Sequence, residues 1–176
     1  MIAIRTLLTL TLLLGVAYPL AVTGLAQLLF PWQANGSLLT NAKQQVVGSA
    51  LLAQKFERAD YFHSRPSASD FATIGGGASN LGMSSPLRAE FAAAAARAQP
   101  EARVPALLTR SASGLDPHLP LAAAALAQVK RVAGQRGLDP VQLTEQVKSA
   151  AQAGILGPQV VNILQLNLQL DHQKGA

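Results

Sequence analysis

Four residues with the side chains of a hydrolytic site lie close together in the sequence, namely Ser111, Ser113, Asp116 and His118. A serine nucleophile needs a histidine base within hydrogen-bond reach and a third group that orients the base. The G-x-S-x-G sequence that exposes such a serine on a sharp turn is missing around both serines. Gly114 and Pro117 are typical of turns, so the pattern favours a turn over a catalytic triad.

A second candidate for a chemical site is the glycine-rich stretch at residues 75–77. Gly77 and Gly82 have the separation of the two glycines in a phosphate-binding loop of the type G-x-x-x-x-G-K-S/T. Met83 and Ser84 follow Gly82, so the lysine that would neutralise a phosphate is absent. The stretch therefore predicts a loop whose glycines adopt positive φ, rather than a nucleotide site.

The composition limits the remaining classes of site. The chain has no cysteine, and its histidines are far apart at His63, His118 and His172. A zinc site needs three or four converging ligands, and no histidine pair has a zinc-motif spacing. The net charge is +5, but Lys130-Arg131 is the only adjacent basic pair, whereas nucleic-acid binding needs clustered cations. We therefore expect neither a resident metal nor a nucleic-acid partner.

The element that places the rest of the chain lies at its start, where Thr6 to Ala42 contains no charged residue. As a helix, Leu7 to Leu28 would span about 33 Å, which is enough to cross the apolar core of a bilayer. A cleaved secretory signal has a shorter apolar stretch, and only Ala21-Val22-Thr23 and Gly24-Leu25-Ala26 loosely match a cleavage site. The length favours a permanent membrane anchor over residues 1–30.

Two features of this anchor concern its shape and its neighbours. Pro19 lacks a backbone N–H group, so we expect a kink there. Ala17, Ala21 and Gly24 follow one another at positions i, i+4 and i+7 and form one face of small residues. Because small side chains let two helices approach closely, this face predicts a packing site for a partner helix.

The positive charges predict the orientation of the anchor. Arg5 and the amino terminus precede the apolar run, and the next cation is Lys43. Cations beside a first membrane helix favour the cytoplasmic side, which places the N-terminus in the cytoplasm and residues 31–176 outside the inner membrane. Phe30 and Trp32 are aromatic residues of the kind found at the membrane interface.

Residues 31–176 are long enough for one soluble domain. Turn residues fill positions 31–41, and the apolar residues of 42–56 fit either a buried strand or a short helix. Residues 57–85 predict a long, ordered loop that contains several aromatic side chains.

Helix signals follow this loop. Ser85-Pro86, Pro120 and Asp139-Pro140 are typical of helix starts, and Gly137 is typical of a helix end. A period-two pattern, typical of a strand with one wet face, follows at Leu164, Leu166, Leu168 and Leu170. The predicted fold class is a single N-terminal transmembrane helix followed by one mixed α+β extracytoplasmic domain. With no catalytic constellation, such a chain is more typical of an accessory subunit than of an enzyme.

Eight segments together are characteristic of one protein family, although none of them is characteristic alone. They are YPLAVTGLAQLLFP (18–31), QANGSL (33–38), VGSALLAQKF (47–56), YFHSRPSA (61–68), SNLG (79–82), SGLDPHLP (113–120), QVKRVAGQRGL (128–138) and VVNILQLNLQLD (160–171). In this order they resemble the C subunit of the bacterial Kdp potassium-transporting ATPase complex.

The resemblance implies an accessory subunit of a complex that imports potassium across the inner membrane. Its partners would be a potassium-channel-like A subunit, a P-type ATPase B subunit and a small F subunit. The C subunit of this family is proposed to be a catalytic chaperone that raises the affinity of the B subunit for ATP. It would hold no cofactor tightly and would meet ATP at the ATPase subunit. The glutamine proposed to contact the nucleotide corresponds to Gln128.

The orientation predicted from Arg5 conflicts with that contact, because ATP is cytoplasmic and the domain would lie outside. Two alternatives therefore stay open. One is an external structural or gating subunit at the potassium entrance that never touches nucleotide, in which Gln128 is an exposed helix residue. The other is an unrelated membrane-anchored module of the cell envelope that binds a ligand or hydrolyses a substrate.

Overall fold

The computed structural model describes residues 1–75, 77, 80–98, 104–120, 124–153 and 156–174. The chain forms two compact units, Met1–Leu38 and Leu39–Ala176. The first contains one apolar helical run, Ile2–Leu29, with a length of 28 residues and a mean hydropathy of 1.8. By length and composition this run can cross a membrane. The second unit combines helices with strands, so the predicted order of one apolar helix and then a mixed α+β domain is confirmed.

A π-helical turn divides the apolar run. Helix α1 covers Ile2–Leu12, the π turn covers Leu13–Ala17, and α2 covers Tyr18–Leu29. The π turn ends two residues before Pro19, which has no N–H group to donate to the preceding helical turn. Thr23 donates its hydroxyl to the Pro19 carbonyl oxygen at 2.8 Å. One wider helical turn therefore precedes Pro19, and the expected kink stays a prediction.

A short turn follows α2. Helix α3 spans Pro31–Ala34, and Gly36 comes after it with φ at +84°, a conformation that favours glycine. The Trp32 indole N–H donates to the Leu38 carbonyl oxygen at 3.0 Å and ties the two ends of the turn together. The turn predicted between anchor and domain is confirmed.

The domain begins with a hairpin in which β1 (Leu38–Thr40) pairs with β2 (Val46–Ser49). Of residues 42–56, the strand covers only Val46–Ser49, of which Ser49 alone is buried, and residues 50–56 form neither of the two expected elements. The described residues from 50 to 85 contain no helix and no strand, as expected for the long loop. Phe62 of this loop is fully buried, so the loop is held against the core by one of its aromatic side chains.

Helices α4 to α7 follow the loop. Helix α4 (Pro86–Ala98) starts at the predicted position, and α5 (Pro105–Leu108) packs against it. Helix α6 (Val129–Arg136) continues a 3₁₀ turn and ends at Gly137, whose φ of +67° is the left-handed conformation of a helix C-terminus. Helix α7 (Pro140–Ser149) begins where the carboxylate of Asp139 accepts a backbone N–H. Both predicted boundaries around residues 137–140 are confirmed.

The helix start predicted at Pro120 is wrong. Pro120 is the last residue of strand β3 (His118–Pro120) and lies opposite Val160 in an antiparallel pair. A proline cannot donate an N–H group to a sheet, but it is tolerated at the end of a short strand. The same residue type therefore fits a strand end as well as a helix start, and pairing with a distant segment decides the outcome.

The strand predicted from the alternating leucines is also wrong. Strand β4 covers only Val160–Asn162, and helix α8 covers Ile163–Lys174. The most deeply buried side chains of α8 recur at i, i+3, i+4 and i+7, namely Ile163, Leu166, Asn167 and Leu170. Over a short segment, leucines at every second position are compatible with the two-residue period of a strand and with the 3.6-residue period of a helix. Burial of this helical face in the core selects the helix.

The core lies between the β3–β4 pair and helices α6, α7 and α8. Its fully buried side chains include Phe62, Leu119, Val132, Leu143, Val147, Val161, Ile163, Leu166 and Leu170. Truncation of a buried phenylalanine costs about 3–5 kcal/mol. The contact of Phe62 with this core is therefore a large contribution to holding the loop in place.

Candidate functional site

Gln128, the residue singled out by the resemblance, ends the 3₁₀ turn before α6 and is fully buried. Its amide oxygen accepts the His63 N–H at 2.8 Å, and its amide nitrogen donates to the His63 carbonyl oxygen at 3.0 Å. The nitrogen also lies 3.4 Å from the Ala124 carbonyl oxygen, and Arg131 donates to the oxygen at 2.7 Å. All four hydrogen-bonding positions of the amide are therefore used within the chain. The interpretation of Gln128 as an exposed helix residue is wrong.

Asn167 of α8 binds the neighbouring loop residue in the same way. The Phe62 N–H donates to the Asn167 amide oxygen at 2.9 Å, and the Asn167 amide nitrogen donates to the Phe62 carbonyl oxygen at 2.9 Å. Two amide side chains thus take the place of a partner strand for two consecutive loop residues. Because an unpaired buried backbone group costs about as much as a lost hydrogen bond, these contacts let the buried Phe62 and the half-buried His63 lie against the core without a partner strand. We call residues 58–64 the clamped segment.

Arginine side chains of α6 bind further carbonyl groups of the clamped segment. Arg131 donates to the carbonyl oxygens of Ala59 and Tyr61, the latter at 2.9 Å. Arg136 donates to the Asp60 carbonyl oxygen at 2.6 Å. A guanidinium group carries five donors in a fixed fork, so one arginine can hold several carbonyl oxygens at once.

Arg136 also joins the clamped segment to α8. Its guanidinium group lies 2.9 Å from the Asp171 carboxylate and 4.8 Å from the centre of the Tyr61 ring. The Arg136 side chain is only 4% exposed. Loss of Asp171 would leave this buried charge without its carboxylate, which is costly in a protein interior.

Two titratable groups of the clamped segment have shifted pKa values. Burial raises the pKa of the Tyr61 phenol, and the hydrogen bond that it donates to Asp171 at 2.9 Å raises it further. The two hydrogen bonds from Arg58, at 2.9 and 2.6 Å, hold the pKa of the Asp60 carboxyl below its usual value. Both shifts favour the protonation state that each group already has at neutral pH. The pattern is that of a structural network rather than of a general acid or base.

Three of the segments that carry the resemblance meet in this network. The clamped segment overlaps YFHSRPSA, α6 lies in QVKRVAGQRGL, and α8 begins in VVNILQLNLQLD. Each of these three segments supplies one part of the clamp.

The serines and histidine that could form a triad are arranged as a turn. The Asp116 carboxylate accepts the His118 backbone N–H at 3.0 Å and lies 3.8 Å from the imidazole Nδ1. The Ser113 hydroxyl oxygen accepts the Leu115 N–H at 3.2 Å. Ser111 Oγ is buried, and among the described residues it has no hydrogen-bond partner. Within the described part of the chain no serine hydroxyl is bonded to His118, so a nucleophile and its base are not brought together.

Arg65 of the long loop binds this turn. Its guanidinium group donates to the Thr109 hydroxyl at 3.3 Å and to the Arg110 carbonyl oxygen at 3.2 Å, and it lies 3.6 Å from Asp116. Asp116 is therefore a partner of an arginine and of a backbone N–H group. This use differs from the orientation of a catalytic histidine.

Positive φ does occur in this loop, at Asp70, Phe71 and Asn80, but not at its described glycines. The glycines with positive φ lie elsewhere, at Gly36, Gly114, Gly137 and Gly157. Gly77 is required for another reason, since a Cβ there would lie 2.8 Å from the Ser69 hydroxyl. Gly75 and Gly82 have open space around them, and Gly76 lies outside the described residues.

The small-residue face of the anchor begins where regular α-helix resumes. Ala17 ends the π turn, and Ala21 and Gly24 follow on α2, so the three keep their i, i+4, i+7 spacing. All three are exposed, and a Cβ on Gly24 would meet no atom within 4 Å. Packing of a partner helix on this face stays a prediction.

Residues that could hold a metal do not converge in the described part of the chain. No group of three or more His, Cys, Asp or Glu side chains lies close enough there to bind an ion. The ring Nε2 of His63 lies 3.0 Å from the Arg58 carbonyl oxygen, which places this imidazole in the clamp.

Sequence reasoning missed most of the clamp. Asn167 fits the polar face of the predicted strand, and Arg131, Arg136 and Asp171 carry no motif. One signal was available, because Asn167 stands at helical spacing from Ile163 and Leu170. A polar residue at a core position of a helix usually has hydrogen-bond partners in the interior.

The chain matches known proteins along almost its whole length. The family model "KdpC: K+-transporting ATPase, c chain" matches residues 1–172. A relative from Pseudomonas aeruginosa, named potassium-transporting ATPase KdpC subunit, is 53% identical over 173 residues, which cover 96% of this chain and 93% of the relative. Relatives of the same name are 50% identical in Pseudomonas putida, with the same coverage, and 48% identical in Pseudomonas syringae, over 99% of this chain and 93% of the relative. The family match includes the membrane helix, the clamped segment and most of α8, and the chain therefore belongs to the KdpC family, the c chains of K+-transporting ATPases.

Proposed function

We propose that this chain is the membrane-anchored accessory subunit of an ATP-driven complex for high-affinity potassium uptake. One observation carries the proposal, namely that a single family match runs from residue 1 to residue 172 through both the anchor and the domain. The proposed partners are a channel-like A subunit, a P-type ATPase B subunit and a small F subunit. The face of Ala17, Ala21 and Gly24 would pack against a membrane helix of one of them.

The subunit catalyses no reaction in this proposal. The side chains best suited to hydrolysis, Ser113 and Asp116, accept backbone N–H groups of their own turn. The lowered pKa of the Asp60 carboxyl and the raised pKa of the Tyr61 phenol are those of a hydrogen-bonded scaffold. These contacts support a role in assembly.

We place the domain on the outer side of the inner membrane, in the periplasm. The support is the position of Arg5, the only Lys or Arg before the apolar run ends. In this position the domain would act as a structural or gating element at the potassium entrance.

The clamp favours this external role over a direct contact with nucleotide. Gln128 uses both of its donors and both acceptor positions inside the chain. A contact between its amide and ATP would first require release of His63, at the cost of hydrogen bonds in a buried position. The catalytic chaperone role, in which the subunit raises the ATP affinity of the B subunit through Gln128, is the alternative and needs a cytoplasmic domain.

The side of the membrane can be measured by cysteine labelling, since the natural chain has no cysteine. Ile74→Cys reports on the domain because this side chain is fully exposed, and Ala3→Cys reports on the N-terminus. We expect a membrane-impermeant maleimide to label Ile74→Cys in intact spheroplasts and Ala3→Cys only after permeabilisation. The reverse pattern would overturn the external role and make the contact of Gln128 with ATP the leading explanation.

Membership of the complex is tested separately. A strain that lacks the subunit should regain growth at limiting potassium when it receives the chain, and an affinity tag on the chain should recover a P-type ATPase from detergent extracts. Growth without the chain at limiting potassium, or a tagged chain that recovers no ATPase, would contradict the proposal.

A further inference from the structure

A groove lies along α4 and α5 and is lined by none of the residues that hold the clamped segment. It consists of two adjoining cavities of about 230 and 310 Å³. Phe91 of α4, Leu108 of α5 and Arg110 line both cavities, and Arg88 lines the smaller one. We call the two cavities together the α4 groove.

The α4 groove continues into exposed apolar surface. Met83, which lines the smaller cavity, is 84% exposed, and Leu87, one helical turn before Phe91, is 49% exposed. Helix α4 has no fully buried side chain along its 13 residues. Exposed apolar side chains around a cavity are a feature of protein interaction sites.

Among the described residues, the charged groups that line the α4 groove are cationic. The Arg110 guanidinium lies 3.4 Å from the centre of the Phe91 ring, where it covers the ring face and keeps its N–H edge available for a ligand. Arg88 stands three positions before Phe91 and so lies on the same side of α4. Among the described residues neither arginine has a carboxylate partner. No Asp or Glu of the described chain lines either cavity.

The position of Arg110 is set by the fold. Its carbonyl oxygen accepts a hydrogen bond from Arg65 at 3.2 Å, and the next residue, Ser111, donates its N–H to the Pro66 carbonyl oxygen at 2.9 Å. The backbone on both sides of the Arg110 side chain is thus tied to the long loop. A cation that is held in place in advance loses less conformational entropy when it binds a partner.

We propose that the α4 groove binds a segment of another subunit in which a carboxylate side chain stands beside a large apolar side chain. The carboxylate pairs with Arg88 and Arg110, because guanidinium groups bind carboxylates through parallel N–H···O bonds. The apolar side chain fills the larger cavity against Phe91 and Leu108. A partner without a carboxylate would bury the two cations unpaired, which is costly. This proposal rests on the proposed function, because it gives the subunit a specific contact in the complex.

Photo-crosslinking in the intact complex tests the contact. The photoreactive amino acid p-benzoylphenylalanine replaces Met83 in the full-length chain, and the crosslinked peptides are identified by mass spectrometry. The matched control position is Val141 on α7, which is 69% exposed and lies outside the groove. We expect Met83 crosslinks in a peptide of another subunit with Asp or Glu close to the crosslinked position. Crosslinks only to lipid, to a second copy of this chain or to a peptide without a carboxylate would overturn the proposal.

Charge reversal tests the two arginines. We expect the double variant Arg88→Glu/Arg110→Glu to lower the Met83 crosslink yield about tenfold, whereas Arg97→Glu, an exposed position on the same helix, leaves the yield unchanged. An equal effect of both variants, or none, would overturn the proposal. Milder variants, Arg88→Gln and Arg110→Gln, give the same test with less risk to folding. If the wild-type chain recovers no other subunit, the proposed function fails; if it recovers the complex but crosslinks elsewhere, only the docking proposal fails.

Discussion

Replacement of Gln128 by methionine tests whether its amide group serves the fold. Methionine keeps the length of the side chain but can neither donate nor accept these hydrogen bonds. The His63 N–H and carbonyl groups would lose contacts of 2.8 and 3.0 Å at a position where Gln128 is fully buried. Arg131 would lose an acceptor at 2.7 Å.

The size of the effect follows from the two backbone groups. Each buried polar group that loses its partner costs about 1–3 kcal/mol. The contact with Ala124 is long, at 3.4 Å, and adds little. We expect Gln128→Met to lower the free energy of unfolding by about 3–5 kcal/mol. For a domain of this size, that change lowers the Tm by about 10–20 °C.

The assay is thermal unfolding of the full chain in detergent, followed by circular dichroism. Gln142→Met makes the same chemical change at an exposed position of α7 and should alter stability by less than about 0.5 kcal/mol. If both variants unfold within about 3 °C of the wild type, the reasoning is refuted, because the Gln128 amide would then not hold the loop. In that case a role for this residue in binding a ligand such as a nucleotide would gain support.

Three further predictions concern packing, pH and assembly. Gly77→Ala should lower the free energy of unfolding by about 1–3 kcal/mol, because its Cβ would lie 2.8 Å from a serine hydroxyl. Gly134→Ala, in open space on α6, should raise it by about 0.5–1 kcal/mol. Equal Tm values of the two variants would contradict this prediction. The raised pKa of Tyr61 contributes stability that is present below about pH 10 and is lost as the pH rises through the folded-state pKa. Tyr61→Phe should therefore reduce the loss of stability at alkaline pH, measured by denaturant titration. Identical pH profiles of the variant and the wild type would argue against it. Ala21→Leu should reduce the amount of complex that is recovered through an affinity tag on the chain. The control Ala26→Leu, on the opposite face of the same helix, should not reduce it. Equal recovery of both variants would count against helix packing at Ala21.

Part of the fold follows from local sequence. An uncharged apolar run is a property of neighbouring residues, and it produced a helix that can span a membrane without help from the rest of the chain. The end of α6 at Gly137 and the start of α7 at Asp139 are also local, because a left-handed glycine and a capping carboxylate act within one helical turn.

Two predictions from sequence that were wrong concern segments whose structure depends on residues far away in the chain. The alternating leucines after Asn162 are compatible with a strand, and burial against the core makes them a helix. Pro120 fits a helix start, and pairing with Val160 makes it a strand end. The intrinsic preference of a residue for helix or strand differs by about tenths of a kcal/mol in such cases, whereas burial of apolar side chains in the core contributes about several kcal/mol.

The sequence by itself determined an apolar anchor, a mixed domain and a family resemblance. Only the tertiary structure decided what Gln128 does, because its partner His63 is 65 residues away, and the matching pair of Phe62 and Asn167 is separated by 105 residues. A buried amide and an exposed amide look the same in a sequence. They differ in the backbone groups that the fold brings to them, and those groups come from segments that meet only when the core forms.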